Sequence, residues 1–487
     1  MRYYEEVFAR RSKQELRLLA HIKRAMECII GDPEFRRQVE EQKSNWDVLL
    51  RDRGVEGVDL RSLVIFRDGK LDLNWPDNEL SKYPLAKLWA DYVAELRGIR
   101  AYLREHGNTP ERNPRFHAWR QRQISRCDSQ LGDKDNKALV HPLFAFELTK
   151  GCSVGCWFCG FAAEKLQGVF PYTRENAALW RGLLQVGADL FGPAVQCGNC
   201  YWATEPADNP DYLDFVRDFR RITGEMPQTT TALPLRDVEW TRRVIRMQEE
   251  CLSVPVRFSV LSVGILRRIH EIFSPEELLR VELLHQHRDS IYAKAQSGRA
   301  LQKRRRATRS DESDKRLINV PGRGICQTIA CLSGFLVNMV DRRIQLISPC
   351  NACNQWPLGY RVHAEGRFAN ASEFRDFIVR VVEECMPESI GGEEVAAFRK
   401  DLAYAPLPDG FSLANESILH KFTGETFLAR LGKLIHDGRR TVGEIMDLIL
   451  EDGADFFGAA AAIQELFDRG LLDDEALICR QRQEVKV

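Results

Sequence analysis

The sequence predicts an α/β fold, because short apolar strands alternate with helical patterns through the middle of the chain. Five strand–helix units follow one another between about residues 140 and 290. The predicted strands cover residues 143–149, 193–197, 228–232, 254–261 and 280–285. Five such units without a sign of closure predict either a partial barrel or an open doubly wound sheet.

The segments on either side of this alternation follow other patterns. Residues 1 to about 140 are polar and mostly helical and carry no catalytic motif, which predicts a helical cap or docking surface. The Ser-, Asp- and Lys-rich stretch at 289–323 predicts a solvated loop. Two apolar strands around a polar turn, at 335–340 and 344–348, predict a hairpin. Glycines divide residues 418–474 into three helical stretches.

Length and charge limit the classes of function. At 487 residues the chain is long enough for about three domains of ~150 residues each. Its 70 Lys and Arg residues equal its 70 Asp and Glu residues, so we expect no nucleic-acid or membrane partner. The chain has no apolar run near the ~20 residues of a membrane helix, and its charged start lacks the apolar core of a secretion signal. We therefore expect a cytoplasmic protein.

Fourteen cysteines need an explanation in a cytoplasmic protein, where thiols stay reduced. Metal binding, catalysis or burial must account for them. Five are scattered singly and fit the packing role of a small apolar side chain. The other nine form three groups, namely Cys152/Cys156/Cys159, Cys197/Cys200 and Cys326/Cys331/Cys350/Cys353. Burial explains the second group best.

The first group has the spacing of an iron–sulfur loop. Cys152, Cys156 and Cys159 follow directly on the first predicted strand, with spacers of three and two residues. Such a loop can wrap three corners of a cubane cluster and leave the fourth iron open to a small molecule. A zinc site normally takes four protein ligands, and no fourth Cys or His follows nearby. Zinc binding or simple burial is thus the weaker interpretation.

The loop resembles the C-x3-C-x2-C signature of the radical S-adenosylmethionine (SAM) superfamily, including an aromatic residue, Phe158, before the last cysteine. The resemblance implies a partial (β/α)6 barrel, one 4Fe-4S cluster held by the three cysteines, and SAM bound to the open iron. One electron then cleaves SAM to a 5′-deoxyadenosyl radical, which implies an electron donor such as a flavodoxin or ferredoxin. The cofactors carry the difficult chemistry, and the protein positions and shields the radical.

Other barrel residues are similar to the cofactor contacts of this superfamily. Tyr201–Pro210 follows the second predicted strand, like the family segment that grips the SAM amino group, and the resemblance assigns that role to Glu205. It assigns ribose contacts to Ser259 and Ser262, at the end of the fourth predicted strand. The expected cofactor-binding residues are therefore Phe158, Glu205 and Ser259. A Glu-Pro pair or a serine after a strand is also common without a ligand.

The third group of cysteines has two competing interpretations. Its four members flank the predicted hairpin, which resembles the twitch subdomain of many radical SAM enzymes and implies an auxiliary cluster or a zinc site. In radical epimerases a single thiol instead donates a hydrogen atom to the substrate radical, and that thiol cannot also bind iron. This second resemblance assigns the donor to Cys350 or Cys353, with Cys350 first.

The C-terminal unit resembles the small winged-helix module that recognises leader peptides in enzymes of ribosomal peptide modification. The matching features are the Thr423–Gly424 hinge, the helix start at Thr441–Ile445 and the Gly470–Leu472 close. The resemblance implies that an extended leader is captured as an added strand on an exposed sheet edge. A generic helical tail or a DNA-binding winged helix stays open, although the acidic, alanine-rich stretch 444–463 disfavours DNA readout.

Together these features resemble the radical SAM peptide epimerases of proteusin-type ribosomal peptide maturation. The expected domains are a helical region at 1–140, the barrel at 141–325, a cysteine-bearing twitch-like segment at 326–415 and a winged-helix leader-recognition domain at 416–487. The implied reaction inverts L-residues to D-residues in a precursor peptide, by removal of the α-hydrogen and return of a hydrogen atom from a thiol. Two alternatives are thioether or other bond formation with an auxiliary cluster, and a non-catalytic leader-binding or winged-helix regulator with a structural metal.

Overall fold

The computed structural model describes most of the chain. It covers residues 8–41, 45–63, 66–67, 70–71, 82–106, 112–132, 136–137, 139–251, 255–290, 297–307, 328–415 and 417–473. The fold is mixed α/β, as the sequence predicts, and its sheets are small. None of the described helices is both long and apolar enough to span a membrane.

The N-terminal region is helical and packs against the central part of the chain. Its elements are α1 (Lys13–Gly31), α2 (Pro33–Glu41), α3 (Trp46–Arg51), β1 (Phe66–Arg67), β2 (Lys70–Leu71), α4 (Pro84–His106) and α5 (Pro114–Leu131). A capping box starts α1, because Ser12 and Glu15 satisfy each other's backbone N–H groups. The Tyr92 hydroxyl donates to the Leu279 carbonyl at 2.7 Å, which ties α4 to the central part.

The central part contains nine strands and the helices between them within the described residues. The strands are β3 (Phe144–Glu147), β4 (Thr149–Lys150), β5 (Gly168–Val169), β6 (Thr230–Thr231), β7 (Val256–Val260), β8 (Val281–His285), β9 (Gly334–Asn338), β10 (Arg343–Pro349) and β11 (Tyr360–Arg367). The helices are α6 (Arg174–Phe191), α7 (Tyr212–Thr223), α8 (Val238–Cys251), α9 (Val263–Ile272), α10 (Gly298–Ala307) and α11 (Ala371–Cys385).

Two sheets meet at the centre of the molecule. One has the order β11-β10-β9-β3, and the other is parallel with the order β6-β7-β8. Asn199 makes parallel bridges to both Ala145 and Gln228, so it links the two sheets into one open arc. The strands that the structure describes form no closed barrel.

The strands of this arc have a helix-facing side and an inner side. In β7, Val256, Phe258 and Val260 are buried in the main apolar core. Because successive side chains of a strand point to opposite faces, Arg257 and Ser259 lie on the inner side. This division of the strands decides which side chains can line a site inside the arc.

The prediction of a strand at 193–197 is wrong. Gly192–Cys197 forms a 3₁₀ helix, because Gly192 ends α6 with a φ of 59° and Pro193 favours the first turn of a helix. Asn199 fills the strand position instead, since its N–H and carbonyl bond to Phe144 and Phe146 at 2.9 and 2.8 Å. The other four predicted strands are confirmed, although β6 is shorter than predicted.

The predicted hairpin is confirmed as β9 and β10. Strand β9 also pairs in parallel with β3, so the hairpin belongs to the same sheet as the first central strand. The stretch 289–323 is not a loop throughout, because α10 lies within it. Residues 291–296 and 308–323 of that stretch lie outside the described residues.

A second apolar core holds the C-terminal unit together. Its elements are β12 (Ala403–Leu407), β13 (Gly410–Ala414), β14 (Leu419–Thr423), α12 (Leu428–Asp437), α13 (Val442–Glu451) and α14 (Phe456–Asp468). The three strands form an antiparallel sheet in chain order. This core begins at Ala396, ahead of the boundary at 416 that the sequence predicts.

Candidate iron–sulfur and substrate site

The three signature cysteines lie in one loop beyond the carboxyl end of β3. Strands β4 and β5 pair beside this loop, and the Cys152 N–H donates to the Glu164 carbonyl at 2.9 Å. Gly151 has a φ of +80°, and a Cβ there would come within 2.2 Å of the Lys165 carbonyl oxygen. The close approach of the two chain segments therefore requires glycine at this position.

The thiols of this loop are half-buried neighbours. Burial, followed by the charges of Cys159 and Cys152, raises the pKa of Cys156 to about 12. Burial is also the main cause of the raised pKa of Cys152. Thiols with raised pKa values stay protonated until a metal ion displaces the proton. Within the described residues, no three His, Cys, Asp or Glu side chains are gathered around a metal position.

Asp208 anchors one side of the cysteine loop, and sequence reasoning missed it. Its buried carboxylate accepts hydrogen bonds from the Ser153 N–H at 2.9 Å and the Ser153 hydroxyl at 2.6 Å. Arg236 donates to the same carboxylate at 2.9 Å. Asp208 follows soon after Glu205 in the predicted cofactor segment, and that position was the signal that could have identified it.

Helix α10 braces the other side of the loop, which the sequence did not predict. The backbone N–H of Arg299 donates to the Cys159 carbonyl at 2.9 Å. Its guanidinium donates to the Cys156 carbonyl at 3.0 Å and to the Ala163 carbonyl. At Gly298, a Cβ would come within 2.4 Å of the Gly160 carbonyl oxygen. The helix thus packs directly on the loop backbone.

Glu205 is buried, and internal contacts hold its carboxylate in place. It accepts hydrogen bonds from the Thr231 hydroxyl at 2.5 Å, the Ala232 N–H at 2.8 Å and the Ala207 N–H at 3.1 Å. Burial raises the pKa of Glu205, and these hydrogen bonds counteract the rise. A carboxylate has about four acceptor sites, so Glu205 keeps capacity for one further donor. The negative charge of Glu205 repels a Cys152 thiolate and so contributes to the raised pKa of that thiol.

The other predicted cofactor contacts, Phe158, Ser259 and Ser262, differ in the groups that they contact. Phe158 is half-buried and packs edge-on against Trp157, with ring centroids 5.4 Å apart. Ser259 is half-buried on the inner side of β7. Ser262 instead caps α9, because its hydroxyl accepts the Ile265 N–H at 3.1 Å. Ser259 is therefore the serine that faces the interior of the arc.

The predicted hydrogen donors Cys350 and Cys353 follow β10. Cys350 is buried, and its N–H donates to the Gly359 carbonyl at 3.0 Å. It lies near Cys127 of α5, whose pKa is raised mainly by burial and also by the charge of Cys350. Cys353 is exposed, and its sulfur accepts the Trp356 N–H at 3.3 Å. The structure therefore does not bring either thiol into contact with the cysteine loop among the interactions that it describes.

The remaining grouped cysteines differ in burial. Cys326 lies outside the described residues, so the four-cysteine auxiliary site stays a prediction. Cys331 is half-buried, and burial raises its pKa to about 11. Cys197 and Cys200 are both buried, which confirms the prediction that they pack in the interior.

The C-terminal sheet has two outer strands. Within the described residues, β12 and β14 each pair only with β13. Most side chains of both outer strands are exposed or half-buried, and Leu419 of β14 is 59% exposed. An open strand edge can accept an added strand from another chain.

Comparison with known proteins covers both the C-terminal unit and the whole chain. The family described as protein y4wI C-terminal domain matches residues 396–470, close to the limits of the second core, Ala396–Leu472. The chain is 40% identical over 473 residues to the uncharacterized protein y4wI of Sinorhizobium fredii (strain NBRC 101917 / NGR234). This match covers 97% of the chain and 91% of that protein. The chain belongs to the y4wI family.

The y4wI relationship therefore includes the central part and the C-terminal unit together. No solved structure matches the chain.

Proposed function

We propose that this y4wI-family protein is a radical SAM epimerase, which converts L-residues to D-residues in a ribosomally synthesised precursor peptide. The observation that carries the proposal is the loop of three thiols beyond the carboxyl end of β3. Loops at the carboxyl ends of parallel strands are where α/β folds build their sites. Asp208 and Arg299 hold this loop from two sides, as a cofactor-binding loop requires.

The open arc supports a partial barrel of the radical SAM type. Six parallel strand positions of the described chain lie side by side, in the order β9, β3, Asn199, β6, β7 and β8. This number equals that of the (β/α)6 barrel implied by the sequence resemblance. An arc that stays open on one side can admit a large substrate such as a peptide.

The donor set fits a 4Fe-4S cluster, because three thiolates leave one iron free for SAM. Cys152, Cys156 and Cys159 would hold the cluster, and the free acceptor capacity of Glu205 would take a hydrogen bond from the SAM amino group. When bound, the cluster and SAM supply a carbon-centred radical that removes a hydrogen atom from a substrate C–H bond. Ser259 would contact the ribose, and Phe158 would shield the site from water.

Charge beside the loop supports a one-electron donor protein as partner. Trp157 follows Cys156 directly, and two cations lie over its ring, Arg288 at 4.7 Å and Lys303 at 5.3 Å. A cationic face beside the cysteines suits an acidic flavodoxin or ferredoxin. This partner and the reduced thiols are consistent with a cytoplasmic location.

The C-terminal unit supports a peptide substrate. It has its own core, and its sheet carries the open outer strands β12 and β14. A leader peptide would add to one of these edges through main-chain hydrogen bonds, which tolerate many sequences. The leader then raises the local concentration of the attached core peptide at the central site.

The inversion needs a hydrogen partner on each face of the peptide. The cluster and SAM would supply the removal of the α-hydrogen from one face, and a thiol of this chain would return a hydrogen atom to the other. The sequence resemblance names Cys350 and Cys353 as candidates for that thiol, and the proposed function holds whichever thiol supplies the hydrogen atom.

Anaerobic reconstitution tests the proposal. The protein should bind about four irons and four sulfides. On reduction it should convert SAM to 5′-deoxyadenosine and, with its precursor peptide in deuterated water, add one deuterium per inverted α-carbon. Cys156→Ala should lose the iron and both reactions. A protein that folds but cleaves no SAM would instead support a leader-binding or winged-helix regulator. A second cluster with products that lack deuterium would support bond formation with an auxiliary cluster.

A further inference from the structure

The inner side of the arc carries a row of polar side chains. Thr230, Arg257 and Glu282 are paired in register across β6, β7 and β8. The Arg257 guanidinium donates to Glu282 at 2.8 Å, and the Thr230 hydroxyl donates to the Tyr201 hydroxyl at 2.7 Å. Burial raises the pKa of Tyr201 to about 12, yet Tyr201 and Arg257 keep accessible surface. We call the space that these half-buried side chains line, on the inner side of the arc, the cavity.

Cys331 faces the same cavity. Its charge contributes to the raised pKa of Tyr201, and Arg257 in turn opposes the rise in the pKa of Cys331. Cys331 packs against an apolar cluster that includes Ala145 of β3 and Leu336 of β9. Neighbours of these two residues on the same strands belong to the main core, so Ala145 and Leu336 lie on the inner side. Cys331 is therefore a half-buried thiol inside the arc.

Trp202 supplies a second, independent sign of a ligand at this place. It is only 6% exposed, and its Nε1–H has no hydrogen-bond partner among the described residues. A buried donor without a partner costs about 1–3 kcal/mol, and a ligand carbonyl would remove that cost. Trp202 belongs to the same apolar cluster as Cys331 and stacks on Phe161, with centroids 4.4 Å apart. Phe161 follows Cys159 closely, so the cluster connects the cavity to the cysteine loop.

Cys350 lies in a different environment. Ser348, two residues before it, bonds to His363 at 2.9 Å, and the His363 ring packs against Trp119 of α5. Cys350 itself is near Cys127 of the same helix. These contacts place Cys350 beside α5, on the helix-facing side of the sheet, rather than on the inner side of the arc.

We propose that Cys331 is the thiol that returns the hydrogen atom, and that Trp202 Nε1–H binds a main-chain carbonyl of the peptide in the same cavity. This inference rests on the proposed function and replaces Cys350 and Cys353 in the donor role. The substrate class is an extended peptide segment, because its carbonyl groups match a fixed N–H donor and its α-carbon radical matches a nearby S–H bond.

The hydrogen transfer forms one bond for each bond that it breaks. The S–H bond of Cys331 breaks, a new Cα–H bond forms on the opposite face of the substrate radical, and a thiyl radical is left on Cys331. One electron from the external donor protein and one proton from solvent restore the thiol. In deuterated water the exchangeable S–D bond supplies deuterium to the inverted carbon.

The test compares Cys331→Ala with the matched variants Cys350→Ala and Cys353→Ala in the reconstituted full-length protein. A precursor deuterated at its α-carbons reports the first step, through deuterium in 5′-deoxyadenosine. Chiral analysis of the hydrolysed peptide reports the inversion. We expect Cys331→Ala to keep the deuterium transfer and to lose D-residues at least a hundredfold, while both matched variants invert normally. Normal inversion by Cys331→Ala, or its loss in Cys350→Ala, would overturn the assignment and leave the proposed function intact.

Two further measurements examine the cavity itself. Precursor peptide should slow the alkylation of Cys331 by N-ethylmaleimide severalfold in protein without SAM, with Cys353 as the unprotected reference thiol in mass spectrometry. Trp202→Phe keeps the ring and removes the N–H, so the KM for precursor should rise about five- to tenfold with little change in kcat. Equal alkylation with and without peptide, or an unchanged KM, would contradict the cavity assignment. Absence of deuterium transfer in the unmodified protein would instead reject the proposed function.

Discussion

At the residue scale, two glycines show what the cysteine loop requires. Gly151 and Gly155 both have positive φ angles, of +80° and +66°. A Cβ at Gly151 would meet the Lys165 carbonyl oxygen at 2.2 Å, whereas a Cβ at Gly155 would meet no atom within 4 Å. Both positions therefore require a left-handed backbone, but only Gly151 lacks room for a Cβ atom.

We expect Gly151→Ala to displace the loop and to lower the iron content of the reconstituted protein severalfold. Gly155→Ala should add only the backbone strain of a left-handed alanine, about 1–2 kcal/mol, and should retain most of its iron. Iron and sulfide analysis of the two variants measures the difference. Equal iron contents would show that close packing on Lys165 does not shape the loop.

At the element scale, α10 decides how firmly the cysteine loop is held. The helix reaches the loop through the Arg299 backbone and guanidinium, which together contact three carbonyl groups. Charged hydrogen bonds of this kind contribute about 1.5–3 kcal/mol when they are shielded from water. Arg299 is half-buried, so part of that contribution is lost to solvent.

Arg299→Gln should therefore release iron to a chelator several times faster than the unmodified protein. The control is Arg430→Gln, which removes an exposed ion pair with Asp452 at 3.3 Å and should change nothing measurable. Chelator challenge followed by absorbance reports the rate. Identical release from both variants would remove α10 from the support of the loop.

The contact between α1 and α9 makes the stability of the protein depend on pH. Glu27 of α1 forms an ion pair with Lys23 and a hydrogen bond with His270 of α9, the latter at 3.1 Å. Burial lowers the pKa of His270. Burial opposes ionisation, but Lys23 and His270 outweigh it and lower the pKa of Glu27 from 4.5 to about 2. The folded pKa lies below the unfolded one, so this stabilisation is present above pH 4.5 and is lost as the pH falls toward 2.

Glu27→Gln should flatten the acid side of the stability curve. Between about pH 5 and pH 3, the free energy of unfolding should fall less in the variant than in the unmodified protein. Urea unfolding at several pH values measures both curves. Parallel curves would mean that Glu27 does not titrate within this contact.

At the scale of the whole molecule, two separate apolar cores stabilise different parts of the chain. The main core lies behind the central sheets, and the second core holds residues Ala396–Leu472. Arg399 and Asn415 bond to Ser129 of α5, at 2.7 and 2.6 Å, and so attach the C-terminal unit to the N-terminal region. A destabilising substitution in one core should therefore impair either precursor binding or SAM cleavage before the other.

Leu431→Ala removes a fully buried side chain from the second core and should destabilise the C-terminal unit by about 2–5 kcal/mol. Precursor binding should weaken at least tenfold, while SAM cleavage without peptide should stay normal. Leu183→Ala in the main core is the matched control and should lower iron binding and SAM cleavage instead. Calorimetry and peptide binding measure the two effects. Equal loss of both functions in both variants would contradict the division.

Much of the fold was predictable from local patterns. The strand β7 and the hairpin β9–β10 follow from apolar residues between polar turns. Gly438, one of the glycines predicted to divide the C-terminal helices, ends α12 with a positive φ. The strand at 193–197 failed because its apolar residues were equally compatible with a 3₁₀ turn after Gly192. The pairing of β9 with β3 joins segments far apart in the chain, and no local pattern could reveal it.

The sequence alone predicts the three-cysteine loop, the nearby Glu205 and the separate C-terminal unit, because spacing and composition are local properties. Contacts across the fold are needed to find which cysteine lies on the inner side of the arc. Spacing alone does not distinguish Cys331 from Cys350. In the structure, Cys331 packs against the apolar cluster that includes Trp202, whereas Cys350 lies near Cys127 of α5. Asp208 and Arg299 likewise acquire their roles only through contacts across the fold. The direction of a side chain depends on register, and register depends on the partner strand.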